Sequence, residues 1–282
     1  QAYAYVTDSI EENQKDNAIA NENYDNIYFI DSIKKLKGLT DISNEFNGIA
    51  TGKNLIVIQF EALQSFPLNL TIDGQEITPN LNKLVDDGIY FPNTFQQIGS
   101  GNTSDAEFIL NTSIYPVGHT AMSTELVGAN VPSLPRILKE DGYITSTFHT
   151  NDVEFWDRDE MYQSLGFDSV YDDTYFGKKD FIAFGASDEV LYDKTLRVIE
   201  GNRKQGKFYA HIVTMSSHHP FELPSKKVSI NLPKDLQDTN LGRYFTSINY
   251  ADKALGEFIS KLEDKGIKEE SLIVVYGDHF GF

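Results

Sequence analysis

The chain has 282 residues, a formal net charge of −18 and no cysteine. These values exclude disulfides, thiolate metal sites and a cysteine nucleophile, and the acidic charge argues against a nucleic-acid partner. An anionic substrate would need local positive charge from a metal ion, Arg, Lys or His. The hydrophobic fraction of 40% permits a sizeable core, while no apolar run approaches the roughly 20 residues that cross a bilayer.

After a polar stretch at 1–50, which predicts a helical or irregular connector, strand-like and helix-like segments alternate along the chain. Short apolar runs predict strands at 54–61, 89–95, 143–149, 207–215 and 271–279. Helical periodicity or helix start and stop signals predict helices at 78–88, 104–110, 131–143, 156–167, 186–201 and 242–266. This alternation predicts an α/β fold with a mostly parallel central sheet flanked by helices.

Residues 99–109 read GSGNTSDAEFI and stand at the start of a predicted helix. Ser104 and Glu107 have the spacing of a capping box, so Thr103 could belong to a plain helix start. The two glycines also permit close approach of the backbone to a phosphate, but the Gly-Lys-Ser/Thr of a Walker loop does not follow. The third possibility is that Thr103 is a nucleophile.

Ionisable side chains mark the ends of four predicted strands, at the edge where open α/β sheets bind ligands. The residues at or directly after these strand ends are Glu61, His149, His218, His219, Asp278 and His279. Taken singly, each could be a solvated acid or a histidine in a surface turn. Together they offer oxygen and imidazole ligands without sulfur, a set that suits Mn²⁺, Mg²⁺ or Zn²⁺.

A threonine hydroxyl beside such a cation would lose its proton readily, because the cation stabilises the alkoxide. The helix start behind Thr103 would add a positive dipole and backbone N–H groups for phosphate oxygens. The residues themselves therefore indicate metal-assisted phosphoryl transfer through a covalent threonine intermediate.

Five motifs follow one another from about residue 50 to the end: FEALQSF (60–66), IGSGNTSDAEF (98–108), FHTNDVEFWDRD (148–159), MSSHHPF (215–221) and VVYGDHFG (274–281). They resemble the successive motifs of the lipoteichoic acid synthases, which are phosphoglycerol transferases of the sulfatase/alkaline phosphatase superfamily. The resemblance implies a sulfatase-like catalytic domain over 51–282. Residues 1–50 resemble the connector between the family's membrane helices and its extracellular domain.

The family pattern implies a Mn²⁺ ion, with Mg²⁺ as the alternative, and these ligands: Glu61, Thr103, Asp278 and His279. Thr103 would attack the phosphorus of phosphatidylglycerol and release diacylglycerol. A glycerol hydroxyl of the lipoteichoic acid chain, or the glycolipid anchor, would then take the glycerol phosphate from the threonine. The resemblance thus implies a metal-dependent phosphoglycerol transferase.

The family pattern also implies contacts with the glycerophosphate group from His149, Asn151, Trp156, Arg158 and His218. The Arg158 guanidinium could bind phosphate oxygens in a fork, and His218 could donate to a phosphate oxygen or move protons. Trp156 could equally be a core residue. Asn151 stands where the main synthase has Asp, which leaves room for a primase-type member that adds only the first unit to a glycolipid.

The resemblance further implies that the domain acts on the extracellular face of the bacterial cell membrane. Several transmembrane helices would precede this segment, or the domain would be released from them. The C-terminal part of the family domain would lie beyond the segment.

Two other functions stay open from the sequence. A phosphodiesterase of the same superfamily would use water as the acceptor. A true sulfatase is disfavoured, because 102–108 (NTSDAEF) lacks the Cys/Ser-x-Pro/Ala-x-Arg setting of formylglycine formation. A non-catalytic module that binds polyglycerolphosphate would be favoured by loss of a metal ligand, but all four candidate ligands are present.

Overall fold

The computed structural model of the protein describes residues 46–281. The predicted connector at 1–50 lies outside this part, apart from its last residues, which belong to a turn at 46–52. Within the described part, no helix has both the length and the apolar character needed to cross a membrane.

Nine short strands are present between residues 46 and 281. In chain order they are β1 (Asn54–Phe60), β2 (Thr71–Ile72), β3 (Gln75–Glu76), β4 (Ile144–His149), β5 (Ser169–Tyr171), β6 (Phe181–Ile182), β7 (Gly185–Ala186), β8 (Phe208–Val213) and β9 (Ser271–Gly277). Five of them form the central sheet in the order β5–β4–β8–β1–β9, and every pairing in it is parallel. The remaining four form two antiparallel pairs, β2–β3 and β6–β7.

The helices lie between these strands, as the alternating pattern predicts. In chain order they are α1 (Pro79–Asp87), α2 (Thr103–Thr112), α3 (Met122–Glu125), α4 (Leu134–Glu140), α5 (Arg158–Leu165), α6 (Asp173–Phe176), α7 (Asp188–Arg203), α8 (Lys234–Gln237) and α9 (Asn240–Asp264). Short 3₁₀ turns occupy Phe155–Asp157 and Ser225–Lys227. The six predicted helices correspond to α1, α2, α4, α5, α7 and α9, with ends shifted by a few residues.

The side chains of each strand point alternately to the two faces of the sheet, and helices pack on both faces. On one face, Ile56, Ile58 and Phe60 of β1 join a large apolar cluster that includes α7 and α9. On the other face, Gln59 reaches the first residue of α2. A second apolar cluster, which includes Phe108, joins α2, α3 and α5. The α/β fold with a parallel central sheet is therefore confirmed.

Helix α9 packs through the apolar stripe that the periodic pattern predicts. Its apolar residues recur at the 3.6-residue period and are all buried: Ile248, Ala251, Leu255, Phe258, Ile259 and Leu262. They face the large cluster, so this stripe fixes how the helix packs.

The predicted strand at 89–95 is wrong. These residues form an irregular segment with a turn, and no neighbouring described strand pairs with them. Phe91 is 66% exposed and Phe95 is 75% exposed. The run of aromatic and β-branched residues is typical of a strand, but here it lacks the partner that a strand needs for its backbone hydrogen bonds.

Candidate functional site

The candidate site forms where β1 and β9 end side by side. The register pairs Phe60 with Gly277, so Glu61 and Asp278, the next residues, are adjacent. The backbone N–H of Ala62 donates to Oδ1 of Asp278 at 2.8 Å, and the N–H of His279 donates to the same oxygen at 2.7 Å. These bonds fix the Asp278 carboxylate and leave its Oδ2 free.

Three carboxylate oxygens at this point are buried and unsatisfied. Within residues 46–281, no hydrogen bond reaches Oε1 or Oε2 of Glu61 or Oδ2 of Asp278. The Nε2 atom of His279 lies 3.4 Å from Glu61 Oε1 and 3.6 Å from Asp278 Oδ2. Burial, and then the Asp278 carboxylate beside it, raise the pKa of Glu61 well above its ordinary value.

This group fits a divalent cation. Ligand atoms of Glu61, Asp278 and His279 all lie within 4.8 Å of one another. Uncompensated carboxylates in a buried site are costly, and a cation bound between them removes that cost. Oxygen and imidazole donors without sulfur form a hard ligand set. The structure therefore brings three of the four predicted ligands together in a geometry that a metal ion can fill.

Thr103, the fourth predicted ligand, is the first residue of α2 and faces this group. Its Oγ1 lies 3.4 Å from Nε2 of His279. The Nε2 group of Gln59 donates to the backbone carbonyl of Thr103 at 3.0 Å, and the Tyr276 hydroxyl bonds to Oε1 of Gln59. Side chains of β1 and β9 thus hold the start of α2 against the ends of their own strands.

Sequence reasoning missed Gln59 and Tyr276 as parts of this site. A signal was present, because Gln59 is a polar residue inside the apolar strand NLIVIQF. It is fully buried, and a buried amide needs hydrogen-bond partners that its own strand does not supply.

The predicted capping box is wrong. Asn102 is the residue before the helix, and among the described residues its side chain caps no N–H. The Ser104 hydroxyl donates to the carbonyl of Gly101 at 2.9 Å. Asp105 organises the loop instead: one of its oxygens, Oδ2, accepts from the N–H of Gly99 and of Gly101 at 2.9 and 3.0 Å. Its other oxygen accepts from the N–H at the start of α3 at 2.8 Å.

Glu107 does not cap the helix start but forms a buried ion pair. Its Oε1 accepts from Nε of Arg158 at 2.8 Å, and its Oε2 accepts from the Tyr162 hydroxyl at 2.5 Å. Burial is the largest influence on the pKa of Glu107 and works to raise it, but the charge of Arg158, the two nearby histidines and the Tyr162 hydrogen bond together hold that pKa below the ordinary value. The carboxylate is therefore ionised at neutral pH.

Arg158, a predicted phosphate contact, is 2% exposed. Besides Glu107, it donates from Nη1 to the carbonyl of Phe155 at 3.3 Å. Its charge lowers the pKa of Glu61 against the stronger effects of burial and Asp278. The guanidinium is thus near enough to the candidate metal site for its positive charge to act on Glu61.

His149 is the last residue of β4, and His218 lies five residues after the end of β8. His149 is buried, with Nδ1 3.0 Å from the carbonyl of Val213, so Nδ1 carries the proton and Nε2 is an acceptor. Burial lowers the pKa of His149 to about 4, and the ring is neutral at neutral pH. His218 is half-buried, its ring lies edge-on to Phe184 at 4.9 Å, and burial lowers its pKa as well.

Trp156 and Asn151 lie in the segment between β4 and α5. Trp156 is 37% exposed and packs edge-on against Phe155, so it is not a core residue. It adopts a φ of 65°, an uncommon backbone conformation for a bulky residue. Asn151 is half-buried, and its Oδ1 accepts from the N–H of Asp152.

Comparisons with known proteins agree with this architecture. Lipoteichoic acid synthase 2 of Bacillus subtilis (strain 168) is 36% identical over 243 residues, which are 85% of this chain and 37% of that protein. Lipoteichoic acid synthase of Staphylococcus aureus (strain USA300) is 35% identical over 249 residues, 86% of this chain and 38% of that protein. The chain therefore spans little more than a third of the length of these curated relatives.

Solved structures share the fold. The crystal structure of the lipoteichoic acid synthase LtaP from Listeria monocytogenes matches with a TM-score of 0.84 and 45% identity, over 89% of this chain and 62% of that one. Streptococcus pyogenes phosphoglycerol transferase GacH, solved with sn-glycerol-1-phosphate, matches with a TM-score of 0.63 and 20% identity, over 92% of this chain and 70% of that one. The second match concerns the fold alone.

The predicted resemblance to lipoteichoic acid synthases is thus confirmed by relatives that match in both sequence and structure. The family model described as Sulfatase matches residues 53–281, nearly the whole part of the chain that holds the sheet and the site. The chain belongs to the sulfatase family.

Proposed function

We propose that residues 51–282 form the catalytic domain of a metal-dependent phosphoglycerol transferase. The domain would move glycerol phosphate from phosphatidylglycerol to a lipoteichoic acid chain or to its glycolipid anchor. One observation carries the proposal: the Thr103 hydroxyl lies at a helix start, beside a buried group of unsatisfied carboxylate oxygens and a histidine. The names of the similar synthases supply the substrate class.

In this proposal the metal ligands are Glu61, Thr103, Asp278 and His279, and the ion is Mn²⁺ or, as the alternative, Mg²⁺. When bound, such an ion supplies positive charge that favours the threonine alkoxide and neutralises charge on the phosphate. The chain's own contribution is to hold the hydroxyl in place, because Gln59 and Tyr276 tie the start of α2 to the sheet.

The proposed reaction has two displacements at phosphorus. Thr103 Oγ1 first bonds to phosphorus, and the bond to the diacylglycerol oxygen breaks. The hydroxyl loses one proton and the departing oxygen gains one, a transfer that we assign to His218. The acceptor's glycerol hydroxyl then bonds to phosphorus and loses its proton, the bond to Thr103 breaks, and the threonine oxygen gains a proton.

The remaining predicted residues surround the glycerol phosphate in this proposal. Arg158 would supply charge to phosphate oxygens, which matters in a chain whose net charge is −18. His149 Nε2, a buried acceptor without a partner among the described residues, would accept from a glycerol hydroxyl. Trp156 and Asn151 would contact the group from the segment before α5.

We place this activity on the extracellular face of the bacterial cell membrane, where the lipid donor is available. The acceptor would be a membrane-bound glycolipid or the growing polymer. A primase-type enzyme, which adds only the first unit, would accept the glycolipid but not the polymer, so the choice of acceptor in an assay separates the two.

The test is Thr103→Ala, with vesicles containing fluorescent phosphatidylglycerol and Mn²⁺ in the buffer. We expect diacylglycerol release to be abolished while the melting temperature stays close to that of the wild type. Thr94→Ala is the matched control, because this threonine is exposed and, within the part of the chain that the structure describes, its hydroxyl bonds only to the carbonyl of Phe91. Wild-type release by Thr103→Ala would refute the proposal.

The same assay separates a transferase from a hydrolase. A transferase should consume the lipid faster when a glycerol-ended acceptor is added, and the product should carry the labelled glycerol phosphate. Lipid consumption that ignores the acceptor and yields free glycerol phosphate would identify a phosphodiesterase instead. A protein that retains no divalent ion in elemental analysis, and releases no diacylglycerol, would be a binding module.

A further inference from the structure

Helix α2 carries a second functional group one turn beyond Thr103. Thr103 and Glu107 are four residues apart, so they lie on the same side of the helix, about 6 Å apart along its axis. Glu107 is fully buried. A rigid helical turn therefore fixes the distance between the Thr103 hydroxyl and whatever Glu107 holds.

Glu107 holds the Arg158 guanidinium by one edge. Nε bonds to Glu107 at 2.8 Å, and Nη1 bonds to the carbonyl of Phe155 at 3.3 Å. Among the described residues, Nη2 donates to no acceptor. The Tyr162 hydroxyl donates to the second oxygen of Glu107 at 2.5 Å, and this bond holds the carboxylate in place. The guanidinium keeps N–H groups for another partner, near the charge of Glu61.

A purely structural role is a weaker explanation for this ion pair. Helices α2 and α5 already meet through apolar side chains, among them Phe108, Met161 and Leu165. Buried ion pairs contribute little net stability compared with apolar residues of similar size, because both charges lose their water. What such a pair does provide is a fixed orientation for each charged group.

We propose that Glu107 is a positioning residue that holds the Arg158 guanidinium at a fixed place relative to Thr103, with its free edge toward the substrate phosphate. This inference rests on the proposed function, in which Arg158 contacts that phosphate. One helix would then place the nucleophile and, through Glu107, the positive charge that receives the phosphate.

The experiment is a double-mutant cycle on the binding of sn-glycerol 1-phosphate, measured by calorimetry with Mn²⁺ present. Glu107→Gln keeps the size of the side chain but removes its charge, and Arg158→Lys keeps the charge but removes the fork. Each should raise the Kd about tenfold, the value of one charged hydrogen bond. The double variant should bind within about twofold of Arg158→Lys, because a lysine leaves Glu107 no guanidinium to orient.

Asp252→Asn is the matched control for a general loss of stability. Asp252 is a fully buried carboxylate on α9 that accepts hydrogen bonds from residues 80 and 81 of α1. This variant should lower the melting temperature and leave the Kd for sn-glycerol 1-phosphate unchanged. If Glu107→Gln fails to fold, Glu107→Asp serves in the same cycle, because it withdraws the carboxylate from Nε without removing its charge.

Three results would overturn the inference. The first is a wild-type Kd in the Glu107 variants, and the second is a double variant whose losses multiply. The third is a wild-type Kd in Arg158→Lys. That result would not affect the test of the proposed function, which depends on Thr103→Ala. A wild-type protein that does not bind sn-glycerol 1-phosphate at all counts against the proposed function itself.

Discussion

Removing a charge from the candidate metal site should stabilise the metal-free protein. Glu61 and Asp278 are both buried, and their ligand atoms lie within 4.8 Å of each other and of His279. Two unit charges at that separation repel by about 3.5 kcal/mol at an effective dielectric constant of about 20. Glu61→Gln removes this repulsion, and the introduced amide can donate to the unsatisfied Oδ2 of Asp278.

The expected gain is smaller than the full repulsion, because Arg158 already offsets part of the charge on Glu61. We expect Glu61→Gln to raise the free energy of unfolding by about 2–3 kcal/mol in excess chelator. For a chain of this size, that gain corresponds to a melting temperature roughly 4–8 °C higher. In saturating Mn²⁺ the order should reverse, because only the wild type gains from the ion.

The pH dependence gives this prediction a second, independent check. The pKa of Glu61 is raised in the folded state, so the folded chain binds a proton more tightly than the unfolded chain does. The metal-free wild type should therefore gain stability as the pH falls from 8 toward the ordinary value of 4.5, and Glu61→Gln should lack this gain.

The assay is scanning calorimetry of both proteins in excess chelator, at pH 8 and pH 5.5, and again with Mn²⁺ at pH 8. Asp252→Asn is a control in which we expect the melting temperature to fall. Both oxygens of this carboxylate accept hydrogen bonds, so its loss should destabilise the protein. A metal-free Glu61→Gln variant that melts below the wild type at pH 8 would refute the reasoning.

Three further predictions concern other residues of the described chain. His211 is fully buried, and burial lowers its pKa to about 4. As the pH falls from 6.5 toward 4, the unfolded chain binds this proton before the folded chain does, so the Mn²⁺-bound protein should lose up to about 3 kcal/mol of stability. Urea unfolding should show that the stability of His211→Phe depends less on acid pH. Asp105→Ala should cost about 3–5 kcal/mol in urea unfolding, because it leaves three backbone N–H groups without an acceptor. Phe95→Ser should change the free energy of unfolding by less than about 0.5 kcal/mol, because this ring is 75% exposed.

Much of the fold could be predicted from the sequence, because a parallel sheet with helices on both faces imposes a simple pattern. Its strands are buried on both sides and therefore appear as short continuous apolar runs, as in 54–61 and 207–215. The convergence of Glu61, Asp278 and His279 followed from the same fact, since the ends of parallel strands meet at one edge.

The errors came from partners that are distant in sequence. The run at 89–95 has the composition of a strand, but pairing depends on a neighbour that local composition does not reveal. Glu107 has the spacing of a capping residue, yet Arg158, 51 positions away, offers it a charged hydrogen bond. A charged hydrogen bond in a buried site is worth more than a cap to a backbone N–H, so the long-range partner prevails.

The short sequence TSDAE at the start of α2 supplies side chains to the candidate site, to its loop and to the buried ion pair. Three of its side chains reach three different parts of the molecule: Thr103 reaches His279 on the loop after β9, Asp105 reaches the loop before the helix, and Glu107 reaches Arg158 on α5. The regular geometry of the helix fixes the positions of these three side chains relative to one another. A substitution that bends this turn should therefore disturb the nucleophile, its loop and the positive charge together, whereas one at a single contact should disturb one of them.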